Sequence, residues 1–468
     1  MLFQRYTFLW VVTISVLLVL VLPVLLQDGM FMDGMLYATI SKNMANGNGS
    51  FWFPHYSMTM YAYFNQQPPL GFGLQSLFFS CFGNSMYVER FYSLLCLFLN
   101  AWLIVAIYRQ IVSNELKKTG WLPVLLWITA PVCFWAFSNN LLENTMSIFD
   151  LLAVFFLLKY MHQQSGFVFV LVAGVCVFAA TFTKGVQGAF PIATPFLYWM
   201  VFRKGSFMRM TFVSVVLLML PVALYAILLM NEDAFISLTT YMNHRVLNSI
   251  MNVSAVSNRF YLAGELFMQF LPAVLLTGIL WFSGRKLVDN NRYAKTSLFF
   301  IFVGLSASVP LMITLEQRNF YLLTSLPYFA LGLSLLAIPA LNAHILKIND
   351  RVIKILTLCS FLIFVAVLSY SFTKVGKVSR DVEMVHDVNL IGSVVKHNTI
   401  IGSTRALWHD YSLQEYLVRK FYICTDDTIL QQHRYFIVIN ENEIPEKVNA
   451  VKVNIPTSKY HLYKVIIK

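Results

Sequence analysis

Charged residues are scarce in this sequence, and their scarcity limits the class of protein it encodes. Of its 468 residues, 12% are charged and 58% are hydrophobic, and the mean hydropathy is +0.65. Because soluble domains carry about 25% charged residues, this composition excludes an ordinary water-soluble protein and predicts an all-α domain that crosses the membrane many times. The net charge is +12, but the basic residues stand in short clusters between apolar runs, so no nucleic-acid partner is expected.

The sequence also lacks an ordered cysteine pattern. Its six cysteines are scattered without metal-ligand spacing, and most lie in apolar runs, where cysteine acts as a small hydrophobic residue. No acidic cluster has a clear ligand geometry either. These absences exclude a disulfide framework and a zinc site, and they leave a catalytic divalent cation open but without support.

A cleavage pattern of small residues is missing after the first apolar run, residues 6–26. The length of this run is near the ~20 residues that span a bilayer, so we expect an uncleaved first helix rather than a signal peptide. An inverted internal repeat of the kind that many transporters show is not visible either.

Long apolar runs fill most of the chain before residue 373. The candidate membrane spans are 6–26, 88–108, 121–138, 144–161, 166–183, 186–202, 210–230, 260–282, 296–315, 320–341 and 352–372. About eleven or more transmembrane helices are therefore predicted. Basic clusters at 109–118, 203–209, 285–295 and 347–354 fall in alternate loops, which the positive-inside rule assigns to the cytoplasm.

This assignment places the remaining loops on the outer side of the membrane. The outer segments then include the long first loop, 27–87, and everything after residue 373. We expect a multi-pass protein of the bacterial inner membrane, with both segments and the active site in the periplasm. The sequon Asn48-Gly49-Ser50 leaves an endoplasmic reticulum location open, although such short motifs are frequent by chance.

The end of the chain differs in character from the apolar part. It carries charges of both signs, and the alternating stretches "RYFIVIN" and "YHLYKVIIK" are typical of strands. We therefore predict two domains. Residues 1–372 form the membrane domain with the first outer loop at 27–87, and residues 373–468 form a small soluble α/β domain.

The first outer loop contains a helix-like stretch that begins next to an acid. Between Phe31 and Met44 apolar residues recur at near-helical spacing, with Lys42 and Asn43 on the other side, so we expect a helix lying in the membrane interface. Asp33 stands at its start. There it either caps the helix and complements its dipole or acts as a general base toward an acceptor.

Further polar residues collect at the predicted outer ends of the spans. They are Gln66 and Gln67 before a double proline, Glu143 at the start of a span, Lys184 in a glycine-rich turn, and Glu316, Arg318 and Tyr321 in a later turn. Gly185 and Gly188 would let the backbone beside Lys184 approach a ligand. Glu143 can also be an ordinary acid at a helix N-terminus, and Lys184 and Arg318 can simply reach lipid headgroups. Asp150 lies inside a span, where acids are rare, and no role is assigned to it.

Five stretches in a fixed order carry a family resemblance. They are "MDGMLYATISKNMANG", "NQQPPL", "LLENTM", "TKGVQGAFP" and "RNFYLLTSLPYFAL", and they make residues 1–340 resemble the C-type, multi-span membrane glycosyltransferases. Within that family the chain is similar to the branch of protein O-mannosyltransferases and the lipid A aminoarabinose transferase. The family's catalytic acid in the first outer loop is matched by Asp33, with Gly34 in place of a second acid. Gln66-Gln67 stands where the family usually carries an acid and a basic residue.

The resemblance implies an inverting glycosyltransferase. Such an enzyme takes a sugar from a polyprenyl-phosphate donor held among membrane lipids and transfers it to lipid A, another glycolipid, a protein or a cell-wall polymer. Asp33 would be the base and Glu143 a second acid that orients the sugar or the acceptor. Lys184 and Arg318 are the candidates for binding the donor phosphate. His244 and Arg245 either bind the same phosphate or form a hydrated loop pair. The candidates for substrate contacts are Tyr37, Gln66, Gln67 and Tyr321, and Tyr37 can also be an interfacial anchor.

Three other functions stay open. A secondary transporter or flippase should place ionisable groups near the bilayer midplane in broken helices, whereas most ionisable groups here stand at predicted outer ends. A glycan ligase or polymerase should have a large late outer loop instead of an acid-bearing first loop. A scaffold whose tail binds a partner should not depend on Asp33 at all. The sequence fixes neither the sugar nor the acceptor.

Overall fold

A computed structural model describes residues 4–163, 166–248, 254–284, 292–429 and 432–466. Contacts within the chain divide it into two compact units. The membrane unit consists of Met1–Pro23, Asn65–Gly71 and Ser93–Thr373, and the C-terminal unit consists of Val24–Phe64, Phe72–Tyr92 and Lys374–Lys468. The last segment of the C-terminal unit begins next to the predicted boundary, but the unit also includes most of the predicted first outer loop.

Helices make up most of the described residues. In chain order the α-helices are α1 (Gln4–Leu25), α2 (Met32–Ala45), α3 (Leu70–Phe82), α4 (Tyr87–Ile111), α5 (Trp121–Ile128), α6 (Pro131–Ser138), α7 (Leu142–Gln163), α8 (Val168–Lys184), α9 (Thr194–Phe202), α10 (Phe207–Leu228), α11 (Glu232–Tyr241), α12 (Tyr261–Gly284), α13 (Ala294–Ser308), α14 (Leu326–Leu346), α15 (Asp350–Phe372), α16 (Val382–Val394), α17 (Arg405–Trp408) and α18 (Tyr411–Phe421).

Within the described ranges, eight helices are long and apolar enough to cross a membrane. They are α1, α4, α7, α10, α12, α13 with the turn that follows it, α14 and α15. The predicted spans 166–183 and 186–202 correspond to shorter apolar helices. The chain is therefore a multi-pass membrane protein with a mostly helical fold, as predicted. Part of the basic cluster 285–295 lies outside the described residues.

The predicted span 121–138 is not one straight helix. It is divided into α5 and α6, and the axes of Leu116–Ile128 and Pro131–Ser138 differ by 81°. Proline disfavours the helical conformation in the residue before it, and Ala130 is accordingly extended, with φ −66° and ψ 124°. Pro131 then starts the new helix, where its missing N–H does not matter. The apolar run therefore contains a break that hydrophobicity alone does not reveal.

Two further predicted spans begin with tight turns instead of regular α-helix. A 3-10 segment, Val186–Ala193, precedes α9, and another, Asn319–Thr324, precedes α14. Prolines contribute to both transitions, because Pro191 cannot donate a backbone hydrogen bond and Pro327 lies in the first turn of α14. These irregular segments carry several of the polar residues that the sequence singles out.

The C-terminal unit contains a five-stranded mixed sheet. Its strands are β1 (Thr399–Ser403), β2 (Ile423–Asp426), β3 (Tyr435–Val438), β4 (Ala450–Lys452) and β5 (His461–Val465). The order is β2-β1-β3-β5-β4, with β1 parallel to β2 and β3, and with β5 antiparallel to β3 and β4. The two stretches predicted as strands are β3 and β5, which pair with each other. The predicted α/β fold class of this part of the chain is thus confirmed.

Helix α2 begins and ends where the sequence predicts, but its polar face is not free. Its neighbour within the unit is α18, whose residues from Leu413 to Arg419 are all buried. Asn43, expected on the polar side, is 1% exposed. Its amide donates to the carbonyls of His55 and Tyr56, at 3.1 and 2.8 Å. The expected interfacial pattern is therefore wrong at this residue, because packing within the unit covers both sides of the helix.

Candidate functional site

A cavity of about 1060 Å³ lies within the membrane unit. Most of its lining is apolar and comes from the 3-10 segment after α8, from α9, and from the end of α13 with its following turn. Its charged lining residues among those described are Lys184, Arg245 and Glu316. Gln67, Gln187, Tyr241 and Tyr321 add polar groups. The cavity therefore combines a large apolar surface with a few placed polar side chains, which is typical of ligand sites.

Glu143 and Lys184 form a buried ion pair at one side of this arrangement. Glu143 lies in the first turn of α7 and Lys184 ends α8, so each charge complements the dipole of its own helix. The Lys184 ammonium is 2.5 Å from the Glu143 carboxylate. Glu143 is 0% exposed and Lys184 9% exposed. The structure thus brings together two residues that the sequence placed at the ends of neighbouring spans.

Aromatic rings complete the surroundings of the lysine. Its ammonium lies 5.5 Å from the ring centre of Phe320 and 5.4 Å from that of Tyr321. Rings at this distance attract a cation through their quadrupole. The amide of Gln187 donates to the Tyr321 carbonyl at 2.5 Å, which holds the turn that carries both rings. Lys184 is therefore a positioned cation in the lining, rather than a headgroup-seeking side chain.

The glycines beside Lys184 serve protein packing. Gly185 has φ +94°, and a Cβ there would come within 2.1 Å of the Tyr241 hydroxyl. A Cβ at Gly188 would come within 2.6 Å of the Ala180 backbone. Protein atoms therefore occupy the space that a side chain at either position would need, which gives both glycines a packing role.

Arg245 forms the second ion pair of the cavity. It lies in a π-helical segment, Met242–Leu247, that continues α11. Its guanidinium is 2.5 Å from the carboxylate of Glu316, and the two side chains are 30% and 9% exposed. π-Helical turns are rare and often occur at functional sites. Arg245 is therefore not a hydrated loop residue, because it forms an ion pair with Glu316 in the cavity lining.

Other predicted residues divide between the lining and the surface. Gln67 and Tyr321 line the cavity. His244 and Arg318 are exposed, and neither is among the described lining residues. Gln66 is half-buried and also stands outside the lining. The structure thus supports Arg245 in preference to Arg318 as the second cation of this cavity.

Asp33 belongs to the C-terminal unit. It is the second residue of α2, and the preceding Phe31 occupies the N-cap without a side-chain capping bond. Asp33 is therefore a first-turn acid, not the cap itself. Tyr37 is 4% exposed, with its ring centre 5.8 Å from that of Phe72. The interpretation of Tyr37 as an anchor in the membrane interface is wrong, because its ring is buried inside the C-terminal unit.

A second carboxyl interacts with Asp33 inside the C-terminal unit. Glu415, in α18, is 4% exposed. Burial raises the pKa of Glu415 well above its ordinary value, the hydrogen bond with the Tyr56 side chain lowers it, and the charge of Asp33 raises it. Burial thus disfavours the ionised form of Glu415, and the charge of an acid in the first loop adds to this effect. The apolar pattern around Glu415 in the sequence gave no indication that its carboxyl interacts with Asp33.

Several polar lining residues were not predicted as site residues, among them Gln187, Tyr241 and Glu316. Gln187 follows the glycine-rich turn, and Tyr241 precedes Arg245 by four residues, so spacing could have suggested both. Glu316 is 71 residues away from Arg245 in sequence, and no local pattern predicts that pair. Within the described part of the chain, no group of three or more His, Cys, Asp or Glu side chains could hold a metal ion.

Known proteins share this architecture. Residues 66–231 match the family described as dolichyl-phosphate-mannose-protein mannosyltransferase. The structure is similar to ArnT from Cupriavidus metallidurans bound to undecaprenyl phosphate, with a TM-score of 0.68 at 14% identity over 97% of both chains. The apo state of that protein gives a TM-score of 0.66 at 13% identity, over 97% of this chain and 96% of that one.

A third solved structure shares the fold over a smaller part of its length. The apo oligosaccharyltransferase of Archaeoglobus fulgidus gives a TM-score of 0.56 at 12% identity, over 92% of this chain and 65% of that one. No curated protein sequence matches this chain significantly. The chain thus has the fold of the C-type, multi-span glycosyltransferases of the ArnT-like branch, and the predicted resemblance is confirmed.

Proposed function

We propose that this protein is an inverting glycosyltransferase that moves a sugar from a polyprenyl-phosphate donor to a hydroxyl acceptor. The observation that carries the proposal is the cavity of the membrane unit, which offers two cations, Lys184 and Arg245, within a largely apolar lining of about 1060 Å³. A polyprenyl phosphate has the matching chemistry, because it joins a long apolar chain to an anionic head. The fold shared with ArnT, whose structure holds undecaprenyl phosphate, supports the same donor class.

The cations have a defined task in this reaction. As the bond between the anomeric carbon and the phosphate oxygen breaks, negative charge grows on the leaving phosphate. Fixed positive groups in a site of low dielectric constant stabilise this charge more than water does. Lys184 is held by Glu143 and two rings, so it needs little reorganisation when the charge develops. We assign Glu143 to positioning this lysine instead of orienting the sugar.

The acceptor requires a base. An alcohol has a high pKa, so its proton must be removed as its oxygen attacks the anomeric carbon. We assign this role to Asp33, whose place in the first turn of α2 favours its ionised form. The acceptor oxygen then bonds to carbon, the proton passes to the carboxylate, and polyprenyl phosphate leaves. One direct displacement inverts the anomeric centre and forms no covalent sugar intermediate.

The proposal extends to the acceptor and the location. The basic clusters in alternate loops support an active face outside the cytoplasm, which in a bacterium is the periplasmic face of the inner membrane. Acceptors there include lipid A, other glycolipids and protein hydroxyls. A divalent cation is not required by this scheme, because the cationic side chains supply the charge stabilisation.

The test is transfer of a radiolabelled monosaccharide from undecaprenyl phosphate by purified protein supplied with a membrane extract. Asp33→Asn keeps the size of the side chain and removes its basicity, so the rate should fall about 10²- to 10⁴-fold. Glu383→Gln, an exposed first-turn acid of the same unit, is the control and should leave the rate unchanged.

Three results would count against the proposal. Equal rates for Asp33→Asn and the wild type would remove the assigned base. Products much larger than one added sugar would favour a ligase or polymerase. Movement of the intact donor across vesicles without transfer would favour a flippase.

A further inference from the structure

The cations of the cavity already have partners in the structure. Lys184 lies 2.5 Å from Glu143, and Arg245 lies 2.5 Å from Glu316. The positive charge available to an anionic ligand is therefore reduced by two carboxylates. An incoming phosphate must share a cation with a carboxylate or take its place.

The two pairs differ in how firmly they are held. The Lys184–Glu143 pair joins the ends of two adjacent α-helices, and its side chains are 6% and 0% exposed. The Arg245–Glu316 pair joins a π-helical segment to the irregular stretch before Asn319–Thr324, and Arg245 is 30% exposed. Separating a deeply buried pair leaves a charge without compensation, whereas the partly exposed Arg245 can turn from one anion to another.

We propose that Glu316 is the counter-ion that Arg245 exchanges for the carrier phosphate. Through this exchange Glu316 limits how tightly the cavity holds the polyprenyl phosphate that remains after sugar transfer, and this makes it a specificity-determining residue of the cavity. The inference rests on the proposed function and adds a residue to its donor site. Both side chains line the cavity, so the exchange needs no new path into the protein.

The chemistry of the three groups favours such an exchange. A guanidinium presents its N–H donors in a fork that matches two oxygens of a carboxylate or of a phosphate. When phosphate takes this fork, Glu316 keeps its negative charge close to a second anion and repels it. The carboxylate thus favours release of the product, which is the more highly charged of the two carrier species because the sugar no longer masks one phosphate oxygen.

The experiment measures binding of unsubstituted undecaprenyl phosphate to the full-length protein in nanodiscs. Glu316→Gln removes the competing charge and keeps the side-chain size, so the Kd should fall about tenfold. The turnover rate should fall with it, because product release is slowed. Glu316→Asp keeps the charge but shortens the reach to Arg245, so its Kd should lie between those of the wild type and Glu316→Gln.

A double variant isolates the exchange. Arg245→Gln should weaken binding, and adding Glu316→Gln to it should tighten binding less than the same change does in the wild type, because no guanidinium is left for the carboxylate and the phosphate to share. An unchanged or weaker affinity in Glu316→Gln would overturn the inference, as would equal tightening with and without Arg245. If the glutamine variant does not fold, a Kd for Glu316→Asp at or above the wild-type value overturns it equally. Binding is measured without turnover, so absence of sugar transfer by the wild type would count against the proposed function and not against this test.

Discussion

Each unit contains a cluster of buried charge, and the two clusters are held in different ways. In the C-terminal unit Arg90 and Arg419 are 2% and 3% exposed and share Glu89, which is fully buried. Further donors of both side chains reach backbone carbonyls. Arg90 donates to Gln27, Gly29 and Met86, and Arg419 donates to Asn84 and Ser85. In the membrane unit Lys184 and Arg245 bond to carboxylates and face a cavity.

The difference separates cations that build structure from cations that can bind ligands. An arginine bonded to several carbonyls cannot turn to a ligand without leaving those carbonyls unpaired, which is costly when they are buried. A partly exposed cation paired with a carboxylate at a cavity, as Arg245 is, can exchange one anion for another. Burial of a charged residue therefore says little about function until its partners are known.

Loss of the structural arginine should have the largest effect on stability. Arg419→Ala leaves Glu89 and two carbonyls without this partner, so the protein should lose about 3–5 kcal/mol of unfolding free energy. Unfolding of the purified protein in detergent, followed by circular dichroism, measures the loss. Lys452→Ala removes an exposed ion pair of 3.7 Å with Glu441 and serves as the control, since such pairs contribute little. Similar losses in both variants would contradict the distinction.

Removal of Glu143 should have the next largest effect, on activity. Glu143→Gln leaves Lys184 without the carboxylate that fixes it, so sugar transfer should slow about 100-fold. Initial rates at saturating donor concentration provide the measurement. Glu232→Gln, an exposed first-turn acid of the same unit, is the control and should keep the normal rate. A normal rate in Glu143→Gln would show that this pair is structural, like the cluster around Arg419.

The smallest expected effect is a pH dependence in the C-terminal unit. The pKa of Glu415 is raised in the folded protein, whereas a glutamate in an unfolded chain has a pKa of about 4.3. The stabilisation from its neutral form is therefore complete below the unfolded pKa and is lost as the pH rises through the folded pKa. Thermal midpoints measured from acidic to alkaline pH should fall less steeply in Glu415→Gln than in the wild type. Parallel curves would contradict the assignment, and Glu383→Gln should reproduce the wild-type curve.

The sequence predicted those features that depend on local pattern. The helix that begins beside Asp33 and the strands β3 and β5 all follow from periodicity. The positions of Glu143 and Lys184 at helix ends also follow from the sequence, although their ion pair was not predicted. The paired prolines at Pro68 and Pro69 directly precede α3.

Features that depend on distant contacts were missed or misjudged. Arg318 was preferred to Arg245 because it stands in a family-like motif, but the cavity is formed by segments far apart in the chain. Lys42 was expected on a free polar side of α2, but its ammonium donates to the carbonyl of Arg419 in α18, 377 residues later in the sequence. The bend before Pro131 is signalled by the proline, yet apolar composition outweighed that signal in the prediction of one span.

The close approach of Tyr241 to Gly185 joins two parts of the cavity lining. A Cβ at position 185 would collide with the tyrosine hydroxyl, and Arg245 follows this tyrosine by four residues. Lys184 is the immediate neighbour of the glycine. Any side chain at position 185 would therefore force a shift in a segment that carries one of the two cations of the cavity.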